Sequence, residues 1–106
     1  MNQLELLDLI KNRLRSNQAN YQPIVLRCLI NKPVMNIKDI QIELAKANNN
    51  DNIKQYGLSY CPVWKVLKNK HLISIMNETV ILNVKVDNLK TAILNELKKL
   101  AGDLNE

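Results

Sequence analysis

The sequence has few of the residues on which catalysis, metal binding and covalent cross-linking depend. Its 106 residues include one histidine, two cysteines and no phenylalanine. A single histidine has no second imidazole to pair with, and Cys28 and Cys61 are too widely separated for a compact zinc motif. With so few cysteines we expect a reduced, cytoplasmic chain without a disulfide framework. We therefore expect no metal site.

Long apolar runs and catalytic motifs are also missing. No apolar run approaches the ~18 residues of a membrane span, and the amino terminus, Met-Asn-Gln-Leu-Glu, lacks the pattern of a secretion signal. The sequence contains no Gly-rich phosphate loop, no clustered carboxylates and no spacing typical of a nucleophile with its base. We therefore expect no membrane association, no cofactor, no small-molecule substrate and no enzymatic activity.

Positive charge is concentrated in one segment of the chain. The formal net charge is +5, and residues 52–77 hold four lysines and no acidic residue. The four are Lys54, Lys65, Lys68 and Lys70. An unbalanced basic segment favours an acidic partner such as nucleic acid.

Apolar residues at spacings of three and four predict a helix at each end of the chain. We expect an amino-terminal helix within residues 1–18 and a carboxy-terminal helix over residues 85–102, ending near Gly102. The apolar positions are Leu4, Leu7, Ile10 and Leu14 in the first helix, and Val86, Leu89, Ile93, Leu97, Leu100 and Leu104 in the last. The second stripe favours a homodimer through the terminal helices. In the alternative, the first helix covers this stripe within one chain.

Residues 21–84 have the pattern of three helices and three short strands. Pro23 lies in the first turn of one helix, Asn36 caps the next, and Ser59 or Tyr60 begins the third. The strand-like segments are 34–35, 72–76 and 79–83, the last two joined by Asn77-Glu78. This order predicts a single domain that is mainly α with a small β-hairpin. It is a winged helix-turn-helix flanked by an N-terminal and a C-terminal helix.

The third core helix divides into an apolar and a polar face. At about 100° per residue, the apolar face holds Val63, Val66 and Leu67, and the polar face holds Cys61, Lys65, Lys68 and Asn69. Trp64 is expected between the two faces. His71, which follows this helix, is expected at the helix end and not in catalysis.

Parts of this core resemble a known family. Tyr21-Gln-Pro-Ile-Val-Leu-Arg-Cys-Leu-Ile30, with Pro62-Val-Trp-Lys-Val-Leu67 and Leu72-Ile73, is similar to the winged-helix domain at the amino end of Mrr-like and HNH-type restriction endonucleases. The likeness covers roughly residues 20–84. It implies DNA binding or sensing, with catalysis on another domain. Many relatives have a glycine where this chain has His71, so the resemblance implies a left-handed helix end at this residue.

The sequence predicts that the third core helix binds double-stranded DNA in the major groove. Lys65 and Lys68 would anchor the helix, and Lys38 and Lys54 would contact phosphates. The other expected DNA-binding residues are Ser59, Tyr60, Cys61, Trp64, Asn69 and Asn77. For Trp64 and Cys61 packing is the favoured alternative, and for Asn77 a purely structural place in the turn is equally compatible with the pattern.

Two functions are compatible with these patterns. The first is a non-catalytic DNA-binding module, either a transcription regulator or the DNA-sensing domain of a restriction-type protein. The second is a protein-interaction winged helix whose terminal helices dimerise or bind a partner, without direct DNA binding. A continuous basic face that includes the third helix would favour the first, and an exposed apolar face on the terminal helices the second.

Overall fold

The computed structural model describes residues 1–13 and 21–105, with side chains through residue 12 in the first helix and residue 100 in the last. The helices are α1 (Gln3–Arg13), α2 (Tyr21–Asn31), α3 (Ile37–Ala47), α4 (Val63–Asn69) and α5 (Lys90–Asn105). The strands are β1 (Val34–Asn36), β2 (Ile73–Met76) and β3 (Thr79–Leu82), and a 3-10 helix covers Ile53–Tyr56. Leu14, the remainder of the predicted first helix to residue 18, and the side chain of Leu104 lie outside the described residues.

The three strands form one antiparallel sheet in the order β1-β3-β2. In the hairpin, Met76 pairs with Thr79, so Asn77 and Glu78 alone make the turn. On its other edge β3 pairs with β1, with Val34 opposite Ile81. The chain order α2-β1-α3-α4-β2-β3 and this strand order are those of a winged helix, with α1 and α5 as flanking helices. The predicted fold class is confirmed.

Helix α2 lies at the centre of the fold. It packs against α3, α4, α5 and β3, and Val25, Leu26 and Leu29 are fully buried. A helix that is apolar on nearly every side is stable only with neighbours on most sides. Within the described residues, no helix is both long and apolar enough to cross a membrane.

The apolar face of helix α1 agrees with the prediction at Leu7 and Ile10, which are both buried, but not at Leu4, which is 63% exposed. Leu6, which is fully buried, takes part in this face instead. The reason lies at the start of the helix, where the Gln3 Oε1 accepts hydrogen bonds from the backbone N–H groups of Asp87 at 2.8 Å and Leu89 at 3.2 Å. Gln3 shares a helix face with Leu6 and Ile10, so these bonds turn Leu4 toward solvent.

Helix α5 is covered within the chain. Its Ile93 and Leu97 are fully buried, because α1 and α2 both pack against this helix. The apolar stripe on α5 therefore does not require a second copy of the chain to cover it. The homodimer stays a prediction, but this stripe no longer favours it. The helix also begins later than expected, at Lys90, and Gly102 lies inside it rather than at its end.

Candidate nucleic-acid interface

Helix α4 begins at Val63, so the predicted start at Ser59 or Tyr60 is wrong. The backbone N–H groups of Tyr60 and Cys61 both donate to the carbonyl oxygen of Gly57, at 3.1 and 3.0 Å, which makes a turn before the helix. Pro62 then occupies the N-cap position. It has no N–H group to leave unpaired, and its ring favours the φ of −63° found there.

The carboxy-terminal end of α4 is closed by His71 in the left-handed conformation, with φ 61°. Its N–H donates to the carbonyl of Lys68 at 2.9 Å, and the N–H of Leu72 donates to that of Leu67 at 3.1 Å. This pair of bonds is a Schellman motif, which satisfies the last carbonyls of the helix. The predicted left-handed end is confirmed, and it directs the chain into β2.

The exposed face of α4 contains Lys65, Lys68 and Asn69, as predicted. Val63 and Leu67 are buried on the opposite side. Lys65 and Lys68 are three residues apart, which places their Cβ atoms about 5–6 Å from each other on a helix. Neither lysine forms an ion pair with any residue that the structure describes. The face is therefore positively charged and open to a partner.

Trp64 is part of the core and not of this face. Only 1% of it is exposed, and its Nε1–H donates to the carbonyl oxygen of Tyr56 at 2.7 Å. The expectation that Trp64 lies between the two faces of the helix is wrong, but the favoured alternative, that Trp64 packs within the protein, is confirmed. Its ring cannot stack on a base unless the core opens.

Cys61 is also buried, with 5% of the residue exposed. Its predicted place on the polar face is therefore wrong, and the favoured alternative, a packing residue, is confirmed. The turn on Gly57 that precedes α4 directs its side chain inward. Burial raises the pKa of the Cys61 thiol, and burial likewise raises the pKa of Cys28 to about 11. Both thiols are therefore protonated at neutral pH, and thiols in this form are poor nucleophiles.

The remaining predicted residues are exposed but belong to different parts of the surface. Lys38 lies in the first turn of α3, where its backbone N–H donates to the Asn36 Oδ1 at 2.9 Å. Asn77 has φ 56° in the turn of the hairpin, which fits the structural place that the sequence left open for it. Ser59 lies in the turn before α4. Lys70, counted in the basic segment, is half-buried, and its Nζ lies 3.4 Å from the Gln22 Oε1.

Lys54 and Tyr60 are brought together beside the start of α4, in an open cleft of about 600 Å³. We call it the tyrosine cleft, because all three tyrosines of the chain line it. Its lining residues are Tyr21, Asn52, Lys54, Gln55, Tyr56, Tyr60, Cys61 and Pro62. Sequence reasoning missed this cleft, since only tertiary packing brings the ring of Tyr21 against that of Tyr56.

Comparison with known proteins assigns no family to this fold. No family model, curated protein or solved structure matches the chain. Within the described residues, no group of three histidine, cysteine, aspartate or glutamate side chains is placed to hold a metal ion. Within the part of the chain that the structure describes, the candidate functional surfaces are therefore the exposed face of α4 and the tyrosine cleft.

Proposed function

We propose that the chain is a non-catalytic module that binds double-stranded DNA through the exposed face of α4. The observation that supports this proposal is the pair Lys65 and Lys68, exposed on one side of a helix whose other side is buried. In a winged helix this helix enters the major groove, where lysine can contact phosphates or guanine edges. No acidic residue lies between residues 52 and 77 to oppose that contact.

Two further lysines outside α4 are available to phosphates. Lys38 lies in the first turn of α3, the helix that precedes α4 in the helix-turn-helix, and Lys54 lies in the 3-10 helix between them. Both are exposed. Contacts from helix starts and loops to phosphates fix the orientation of a protein on the duplex without reading its sequence. Each lysine ammonium has three N–H donors, so the four lysines support roughly three to five phosphate contacts in total.

The module would serve as a transcription regulator or as the DNA-sensing part of a restriction-type protein. Both uses need a winged helix that binds a duplex without changing it covalently. In the second use, catalysis belongs to another domain.

The test is the binding of a random-sequence duplex at several salt concentrations. Each phosphate contact releases counterions, so log K is expected to fall with log salt at a slope of about −3 to −5. Fluorescence anisotropy with a labelled duplex measures this slope directly. No binding at low salt, to either an unmodified or a modified duplex, would contradict the proposal.

A further inference from the structure

The tyrosine cleft contains aromatic surfaces fixed in a defined arrangement. The rings of Tyr21 and Tyr56 meet edge to face, with centroids 5.7 Å apart and an angle of 80° between their planes. Tyr56 is buried, and its position is fixed by the hydrogen bond that its backbone carbonyl oxygen accepts from the Trp64 indole N–H. The volume of the cleft, about 600 Å³, lies within the range of pockets that hold small ligands.

Tyr60 contributes a ring that is almost uncovered, since 77% of this residue is exposed. A Cβ placed on Gly57 would lie 3.8 Å from the Cδ2 of Tyr60, so the ring rests beside the Gly57 backbone. Aromatic rings are usually buried or paired, because their large apolar surface is unfavourable in water. A ring exposed to this extent at the mouth of a cleft is available for stacking with a flat ligand.

Polar groups of the cleft favour a ligand that has a hydrogen-bonding edge and a negative charge. Asn52 and Gln55 supply amide groups, and the Asn50 Nδ2 donates to the Gln55 Oε1, which leaves the Gln55 amide NH₂ to donate. Lys54 supplies a positive charge, and no acidic side chain is among the lining residues. A flat heteroaromatic ring attached to a phosphate has all the matching features.

We propose that the tyrosine cleft binds one unpaired nucleotide, with its base stacked on Tyr60, its base edge at Asn52 and Gln55, and its phosphate on Lys54. The nucleotide comes either from a DNA strand in contact with α4 or from a free mononucleotide. The first source rests on the proposed function. It is favoured because Cys61 and Pro62 line the cleft and directly precede α4, which places the cleft next to the proposed DNA-binding helix.

The first arm of the test compares two duplexes of the same sequence, one fully paired and one with a single unpaired adenine. Stacking of a base on an aromatic side chain strengthens binding severalfold to about a hundredfold, so we expect about tenfold tighter binding of the duplex with the unpaired base. Tyr60→Ala should abolish this preference, and Tyr60→Phe should retain it. Leu4→Ala, at an exposed apolar residue on α1, is the matched control and should also retain it.

The second arm uses deoxyadenosine monophosphate, detected by the fluorescence of Trp64, the only tryptophan of the chain. Its indole bonds to Tyr56, which lines the cleft, so an occupied cleft should change its emission. A saturable change that Tyr60→Ala removes, without any preference for the unpaired duplex, identifies the free nucleotide as the source.

The two arms separate this proposal from the proposed function. Equal binding of both duplexes by all variants, with no response to the mononucleotide, overturns the nucleotide site and leaves DNA binding by α4 intact. A mononucleotide response in a chain that binds neither duplex supports the site and contradicts the proposed function. Retention of the preference for the unpaired duplex in Tyr60→Ala also overturns the site, because stacking on Tyr60 is then not its cause.

Discussion

The indole N–H of Trp64 and the carbonyl oxygen of Tyr56 are joined by a buried hydrogen bond of 2.7 Å. This bond ties the 3-10 helix to the first turn of α4. A second tie runs from the Gln41 Nε2 to the carbonyl oxygen of Ile53 at 3.2 Å, and it fixes the other end of the same 3-10 helix to α3. The loop between α3 and α4 is therefore held at both ends. Because this loop forms one wall of the tyrosine cleft, the same two bonds also fix that wall.

Replacement of Trp64 by phenylalanine should lower the free energy of unfolding by about 1–3 kcal/mol, because the buried Tyr56 carbonyl loses its donor and the smaller ring leaves space. Urea unfolding followed by circular dichroism measures the change. Leu58→Ala, at an exposed residue of the same loop, is the control and should stay within about 0.5 kcal/mol of the parent. Equal stability of Trp64→Phe and the parent would contradict a structural contribution from this bond.

Much of this architecture follows from local patterns in the sequence. Asn36 is a good N-cap residue, and its side chain accepts a hydrogen bond from the backbone N–H of Lys38. Asn77 tolerates positive φ, and it has φ 56° in the turn of the hairpin. The division of α4 into a lysine face and a buried face follows from helical periodicity at Val63, Lys65 and Leu67. Such features depend on neighbours within four residues, which is why the sequence predicts them well.

Features that depend on distant parts of the chain could not be predicted in this way. The burial of Cys61 results from the turn on Gly57, and the face of α1 is set by bonds from Gln3 to the segment before α5. The tyrosine cleft needs Tyr21 beside Tyr56, 35 positions away in the sequence. No periodicity links such residues, because tertiary packing alone brings them together.

Reversal of charge at both Lys65 and Lys68 to glutamate should abolish duplex binding while the fold is retained. Both side chains are exposed, so substitution there should change stability by no more than about 0.5 kcal/mol per site. Anisotropy titrations and far-ultraviolet circular dichroism on the same samples measure both effects.

The matched control for that variant is Lys90→Glu with Lys98→Glu on α5. It alters the net charge of the chain equally, at exposed residues of a helix that packs on α1 and α2. We expect this control to bind with only a small loss of affinity. Equal loss in both double variants would mean that net charge, and not the face of α4, governs binding.

Glu78 lies in the turn of the β2-β3 hairpin, which is the wing of the winged helix. It should weaken DNA binding if this wing approaches the duplex. It follows the basic segment directly, and its side chain is exposed, while its backbone carbonyl accepts from the Ile37 N–H at 2.7 Å. The backbone bond does not depend on the side chain, so Glu78→Lys should fold normally. We expect tighter binding and a salt slope steeper by about 0.9, measured at the same salt series.

Asp8→Lys on α1 makes the same change in net charge at another exposed carboxylate and is the control for Glu78→Lys. It should have little effect on the salt slope. An unchanged slope in Glu78→Lys would place the wing away from the phosphates and leave α4 as the principal contact.

Replacement of His71 by glycine should stabilise the protein by about 0.5–1 kcal/mol. The residue has φ 61°, a conformation in which any side chain carries a steric penalty and glycine carries none. The Schellman bonds to Lys68 and Leu67 use backbone atoms, so the substitution leaves them in place. Lys70→Gly, next to it at φ −83°, is the control and should instead destabilise, because glycine there adds freedom to the unfolded chain and removes the hydrogen bond from the Lys70 Nζ to Gln22. Thermal unfolding of the two variants beside the parent should therefore give midpoints shifted in opposite directions. If His71→Gly is destabilised as much as Lys70→Gly, the left-handed end of α4 is not the conformation that the protein adopts in solution.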